Sequence, residues 1–182
     1  MTLTPTDRFH GTTILAVRRN GKLALAGDGQ VTLNNTVIKH RARKVRRIFN
    51  ERILVGFAGA TADALTLSEK LEAKLERYNG NLTRSAVELA RDWRADKYLR
   101  RLEALMIAAD DSGLFLLSGT GDVIEPDRDI AAIGSGAVAA QSAAWALFDE
   151  TEMTAAAIVR KAMEIAAATC VFTNSEIHVE EL

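Results

Sequence analysis

The sequence predicts an α+β protein in which two packed β-sheets are covered on their outer sides by pairs of helices, and three observations predict it. The strand-like runs are short, rich in β-branched residues and bounded by Gly or Asn-Gly. Helical spacing arrives in two pairs of segments instead of alternating singly with strands, as a doubly wound fold would require. The second of these pairs is rich in alanine, which lets helices lie close to a sheet. A chain of 182 residues with 48% hydrophobic and 26% charged content fits one domain with a sizeable core.

Residues 13–18 and 22–26 read as strands joined by Arg19-Asn20-Gly21, and Asn-Gly between two such runs is a strong hairpin signal. Residues 52–58 form another strand, ended by Gly59, after which Thr61 can cap a helix with Leu65, Leu67, Leu71 and Leu75 on one broad face. Gly80 stops that helix, and residues 82–101 resume helical spacing through Ala86, Leu89, Ala90 and Trp93. Residues 104–109 and 114–118 make a second pair of strands around Asp111-Ser112-Gly113. Residues 130–133 form an apolar strand, 135–148 and 154–168 are Ala-rich helices, and 177–179 add a last strand. Neither a linker nor an internal repeat interrupts the order.

Lys plus Arg number 23 and Asp plus Glu 24, and the net charge of −1 gives no global attraction to nucleic acid or anionic membrane. Cys170 is the single cysteine, which excludes an internal disulfide, agrees with a reducing compartment, and reads as a small buried hydrophobe. The first eleven residues are polar and lack the apolar run of a secretion signal, and no later stretch approaches the ~20 apolar residues of a membrane span. A soluble cytoplasmic protein with a flexible leader is the expectation.

The sharpest chemical feature is Gly11-Thr12-Thr13-Ile14 at the start of the first strand. Cleavage after Gly11 would make Thr12 N-terminal. A threonine hydroxyl is a weak nucleophile that needs an adjacent base, and a free α-amine, with its reference pKa of ~8, supplies one on the same residue. Gly11 has no Cβ to keep the Thr12 hydroxyl from the Gly11 carbonyl, so the chain could excise its own leader. Taken alone, Thr-Thr here is equally what a strand start favours.

Further motifs narrow the choice: Ala26-Gly27-Asp28-Gly29-Gln30, Lys44-Val45-Arg46-Arg47, Gly56-Phe57-Ala58-Gly59, Ala62-Asp63, Ile133-Gly134-Ser135-Gly136 and a Glu-Glu-Leu terminus. From Thr12 to the end the chain resembles the threonine proteases of the proteasome β-type family, in its HslV (ClpQ) branch. Only the leader departs, because many members carry the threonine directly after the initiator Met. The resemblance implies a four-layer αββα fold of the N-terminal-nucleophile hydrolases, with residues 1–11 as a propeptide and 12–182 as one peptidase domain. It implies Thr12 as nucleophile, with Lys44 as the cation beside its hydroxyl and amine. Asp28 would be the carboxylate that pairs Lys44, Ser135 a hydroxyl near the Thr12 amine, and Gly59 the backbone N–H of an oxyanion hole. A sodium ion held by backbone carbonyls is implied at Ala167, Cys170 and Thr173. The implied assembly is two stacked hexameric rings, fed by an HslU (ClpY) type hexameric AAA+ ATPase that threads unfolded proteins into a closed chamber. No nucleotide is expected on this chain, since no P-loop is present.

Two motifs have competing readings. Gly134-Ser135-Gly136-x-x-Ala139 between a strand and a helix has the form of a dinucleotide-binding turn, yet fewer than ~50 residues follow it and they are mostly helical. The basic run 39–47 has the charge of a phosphate-binding patch but lacks aromatic residues for base stacking. His10, His40 and His178 have no metal-ligand spacing, and the Met and Trp residues read as core. Two other functional classes stay open: a catalytically silent ring scaffold, and a small-amide hydrolase of the same fold that works without an ATPase.

Overall fold

A computed structural model describes residues 9–10, 12–59, 61–97, 99 and 104–182. Among them, strands β2 (Thr13–Arg19) and β3 (Lys22–Gly27) form the first hairpin, its turn built by Asn20 at φ 53° and Gly21 at φ 72°. Two successive positive φ values make the tight turn whose twist matches that of the strands, which is why Asn-Gly stands there. With β11 (Ile130–Gly134) and β12 (His178–Glu181), they complete a four-stranded sheet in the order β11-β2-β3-β12. The second sheet has five strands: β6 (Val45–Ile48), β7 (Ile53–Ala58), β8 (Leu105–Ala109), β9 (Leu114–Ser118) and β10 (Val123–Ile124), ordered β10-β9-β8-β7-β6. All pairings are antiparallel.

The alternation of side chains sorts the core into three layers of contact. Ile14, Ala16, Leu25 and Ile133 point between the sheets and meet Val45, Leu54, Ile107 and Leu114. Their neighbours Leu15, Val17, Ala24 and Ala132 point outward, against α3 (Ala137–Glu150) and α4 (Ala155–Thr169). On the far side, Val55, Phe57, Met106 and Leu117 pack under α1 (Thr61–Arg77) and α2 (Leu82–Ala95), whose Leu67, Leu71, Leu75, Leu89 and Trp93 are fully buried. The layers therefore run helix, sheet, sheet, helix, the expected αββα sandwich.

Helix ends follow local chemistry. Gly80, at φ 79°, returns its N–H to the Leu75 carbonyl at 2.8 Å and so terminates α1. Asn81 caps α2 by accepting the Arg84 N–H at 2.8 Å, and Thr154 caps α4 by accepting that of Ala157 at 3.2 Å.

Several expectations are corrected. The leader was expected to be a flexible extension, but β1 (Phe9–His10) pairs antiparallel with β4 (Val31–Leu33), which continues to β5 (Thr36–Lys39) in a small third sheet. The rest of the leader lies outside the described residues. All four positions of β5 are exposed, so it carries no alternation to read, and β6 was hidden inside a basic run in which Val45 and Ile48 alone turn inward. The second helix ends at Ala95, with the Asp96 N–H on the Asp92 carbonyl, not near residue 101. Leu65 is 40% exposed and leaves the core face to Leu67, Leu71 and Leu75, and Trp145 lies at the surface beside Arg128. No helix among the described residues is long and apolar enough to cross a membrane.

Arg47 on β6 binds Glu180 on β12 at 2.6 Å and the Glu181 carbonyl at 2.5 Å, so the edges of the two large sheets are tied together. The Arg47 hydrogen bond, aided by His178, holds the Glu180 carboxyl below the usual carboxylate range. Between the sheets, glycine lets the large side chains of the apolar layer come close to the opposite backbone. A Cβ on Gly56 would stand 2.6 Å from Ile14 Cγ2. Gly56→Ala should therefore destabilise the fold by about 1–3 kcal/mol through overpacking. Urea unfolding should find a smaller combined loss than the sum when Ile14→Ala is added, because the two sites share one space.

Candidate active site

The site forms where β2, β3, β11 and the end of α4 meet the segment leading into β6. Thr12 is half-buried immediately before β2, and its carbonyl accepts the Ser135 N–H at 2.8 Å. The next residue, Thr13, is fully buried and donates its N–H to Asp28 Oδ1 at 2.8 Å. Asp28, also fully buried, follows directly on β3, and the β2–β3 register sets Ile14 opposite Gly27, which delivers the carboxylate to the strand start.

Lys44 reaches the same carboxylate from the other sheet. Its Nζ lies 2.7 Å from Asp28 Oδ1 and 2.5 Å from the Gln30 carbonyl oxygen, with the side chain 8% exposed. A buried cation and a buried anion each lose several kcal/mol of hydration, and only close contact with further hydrogen bonds offsets it. Those bonds are present: besides Lys44 and Thr13, Asp28 accepts the Gln30 N–H on Oδ2 at 2.9 Å. Burial lowers the pKa of the Lys44 ammonium, and the charge and hydrogen bond of Asp28 partly restore it.

The predicted residues separate into two groups. Thr12, Asp28, Lys44 and Ser135 come together, although Ser135 contributes its backbone N–H to Thr12, and its side chain is exposed. Gly59 is exposed at φ 139° just beyond β7, and the Phe57 N–H bond to the Lys44 carbonyl sets the end of that strand beside the lysine. Ala167 lies in the last turn of α4, and Cys170 and Thr173 form the turn after it, where the Cys170 carbonyl accepts the Thr173 N–H at 3.0 Å. Cys170 is only half-buried, not the buried hydrophobe expected.

The two glycines of the dinucleotide-like turn serve the chain itself. Gly134, at φ 97°, faces the Thr12 carbonyl so closely that any Cβ would overlap it. Gly136 donates its N–H to Thr13 Oγ1 at 2.9 Å, and a Cβ there would meet that oxygen at 2.5 Å. Their absent side chains make room for the strand that carries Thr12, not for a phosphate. The basic run is likewise dispersed: Lys44 is buried in the ion pair, Arg47 binds β12, and Arg41 pairs with Glu176.

The sequence pattern of proteasome subunits matches residues 8–182. The chain belongs to the proteasome family. It is 60% identical over 173 residues to the ATP-dependent protease subunit HslV of Syntrophobacter fumaroxidans, across 95% of this chain and 97% of that one. The HslV subunit of a Sulfurihydrogenibium species is 57% identical over 176 residues, across 97% and 99%. The crystal structure of eukaryotic HslV from Trypanosoma brucei superposes with a TM-score of 0.89 at 48% identity, across 93% of this chain and 98% of that chain. Thiobacillus denitrificans BPH, at 19% identity and a TM-score of 0.70, shares the fold. This member of the proteasome family is thus a peptidase of the HslV type, a threonine protease class with an N-terminal nucleophile.

Sequence reasoning missed three contributors in this proteasome-family chain, and it named a fourth, Thr173, for its carbonyl and not for its hydroxyl. The Gln30 carbonyl is an acceptor for Lys44, and Thr13 Oγ1 lies 2.7 Å from Thr173 Oγ1. Asn174 bonds Gly29 and His40 through its side chain. Backbone acceptors leave no mark in a sequence, and the Thr-Asn pair resembles any polar turn. The Lys44 ammonium should titrate below the value near 10.5 of a free lysine, and lower still in Asp28→Asn, which removes the partner that raises it. Nitrogen-15 NMR of the lysine side chains checks this, and a Lys44 midpoint at or above 10.5 would contradict the burial argument.

Proposed function

We propose that this chain is the proteolytic subunit of a two-component ATP-dependent protease, with Thr12 as nucleophile once residues 1–11 are removed. The observation that carries the reading is the single Asp28 oxygen that holds both the Lys44 ammonium and the N–H of the residue after Thr12. It supports a fixed cation next to the threonine. Until the leader is cut, the Thr12 nitrogen is an amide whose lone pair is delocalised, and it can act as no base. The backbone is held on both sides of the Gly11–Thr12 bond, by the pairing of β1 with β4 and by Ser135 on Thr12. That restraint supports attack of the Thr12 hydroxyl on the Gly11 carbonyl.

In the mature enzyme the Thr12 amine takes the hydroxyl proton as the oxygen attacks a peptide carbonyl. The Lys44 charge favours the neutral amine, since like charges disfavour joint protonation. The Gly59 N–H would steady the developing oxyanion, a contribution of typically ~3 kcal/mol. The Thr12 ammonium so formed gives that proton to the nitrogen of the breaking C–N bond, the amine product leaves, an ester remains on Thr12, and water activated by the again neutral amine hydrolyses it.

The HslV names of the relatives, described as subunits of an ATP-dependent protease, support a ring ATPase of the HslU type as partner, a double hexameric ring and a cytoplasmic setting. Sodium fits the end of α4. Ala167 is among the last four carbonyls of the helix, which lack intrahelical partners, and the Cys170 oxygen has a second lone pair beside the one Thr173 uses. Ala167, Cys170 and Thr173 would hold the ion through their carbonyls, and the ion would fix the loop electrostatically.

Active enzyme should begin at Thr12, and Thr12→Ala should lose at least about 10³-fold in peptide turnover while still assembling. N-terminal sequencing with a threonine-directed inhibitor tests both, and active protein that begins at Met1 would refute the mechanism. Exchange of sodium for a bulky organic cation should lower turnover reversibly. Equal rates in both salts would remove the ion from the proposal. Folded-protein degradation with and without the ATPase separates the protease from a silent scaffold or a small-amide hydrolase.

A further inference from the structure

The nucleophile and its cation arrive from different sheets on irregular segments. Thr12 precedes β2, Asp28 lies in the loop after β3, and Lys44 ends the irregular stretch between β5 and β6. Something outside those strands must set their spacing. Residues Thr173 and Asn174, in the turn after α4, touch Thr13, the residue next to Thr12, and both of the other segments. The Thr173 hydroxyl, in a residue 4% exposed, lies 2.7 Å from that of Thr13. Asn174 Oδ1 accepts the Gly29 N–H at 3.0 Å and the Glu176 N–H at 3.2 Å, and its Nδ2 donates to the His40 carbonyl at 2.9 Å. Its backbone N–H points at Asp28 Oδ2 at 3.4 Å.

Where Asn174 joins them, the Asp28 loop and the Lys44 segment also touch directly. The Ala42 N–H donates to the Gly29 carbonyl at 2.9 Å, and a Cβ on Gly29 would overlap the His40 carbonyl oxygen. The amide of Asn174 uses both of its ends here. The acceptor holds the loop of the carboxylate, and the donor holds the segment of the ammonium.

We propose that Thr173-Asn174 is a positioning clasp that sets the Lys44–Asp28 pair in register with Thr12, and that Asn174 governs turnover without touching substrate. This rests on the reading of Thr12 as nucleophile. An asparagine that only filled a turn would affect stability alone. One that sets the cation's place affects the rate of bond-making and leaves substrate binding as it was.

The test uses the full chain assembled with its ATPase. Asn174→Ala should lower kcat for a peptide substrate at least ten-fold with KM within two-fold. Asn174→Asp, which keeps the acceptor and loses the donor, should fall between it and the parent. Gly29→Ala, which forces the two segments apart without altering Asn174, should repeat the pattern. Hydrogen exchange of the Ala42 amide should quicken at least ten-fold in Asn174→Ala while β8 and α4 keep their protection. Parental kcat, a loss confined to KM, or failure of the variants to assemble would each overturn the clasp. If the parent chain itself cleaves no peptide, the nucleophile assignment fails, and the Ala42 exchange rate still decides whether Asn174 joins the two segments.

Discussion

Everything about this site depends on keeping one ammonium and one carboxylate together out of water. Asp28 is fully buried and Lys44 nearly so, and neither could stay charged there without the other. The fold surrounds the pair with backbone groups: the N–H of Thr13 and Gln30 on the carboxylate, and the Gln30 carbonyl on the ammonium. Backbone donors and acceptors are the suitable choice, because they are fixed by the path of the main chain and cannot rotate away as side chains can. Removal of either charge would leave its partner stranded at a cost of about 3–5 kcal/mol. The same pair therefore constrains stability and electrostatics together.

Close approach is the second constraint, and glycine is its instrument. Gly134 and Gly136 bring β11 and the start of α3 onto Thr12 and Thr13, Gly29 brings the Asp28 loop onto His40, and Gly56 lets β7 sit on Ile14. Each of the last two lies where the half of the molecule carrying Thr12 meets the half carrying Lys44. In both places a side chain would widen the gap that the ion pair must span.

What could be read from the sequence follows from this geometry. The four-stranded sheet, the three central strands of the five-stranded one and the four helices among the described residues were legible because their alternation or helical spacing is enforced by burial, as with Ile14 and Ala16 inward against Leu15 and Val17 outward, whereas the edge strands β6 and β10 were not. Thr12, Asp28 and Lys44 were singled out by family motifs, not by spacing, since 16 residues separate the two members of the ion pair, and the structure shows only that the segments carrying them meet. The hairpin of β4 and β5 was not legible, because β5 is exposed throughout and three-residue β4 buries Thr32 alone, too little to leave a pattern. Gly-x-Gly at 134–136 read only as the form of a dinucleotide-binding turn, because a sequence does not show that the backbone approached there is the chain's own, at Thr12 and Thr13. Asn174 was invisible, since its partners are main-chain atoms of two distant loops.

Under the proposed mechanism, catalysis becomes a property of how the two sheets are packed. Thr12 and Asp28 belong to the four-stranded sheet, through β2 and β3, whereas Lys44 leads into β6, the edge of the five-stranded one. The ion pair thus crosses the interface between layers. So does the Arg47–Glu180 bond, three residues further along on the same edge. With Lys44 held at one end of β6 and Arg47 near the other, the edge strand is pinned to its neighbour sheet at two points. Interlayer sliding that moved β6 by an ångström would shift the ammonium relative to the Thr12 hydroxyl by a similar amount, and misplacements of that size can reduce rates about 10²-fold. A small-residue interface such as Gly56 against Ile14 resists sliding because protein interiors are close-packed and yield little. The apolar layer between the sheets, which takes no part in the proposed chemistry, therefore holds the charge where that mechanism needs it.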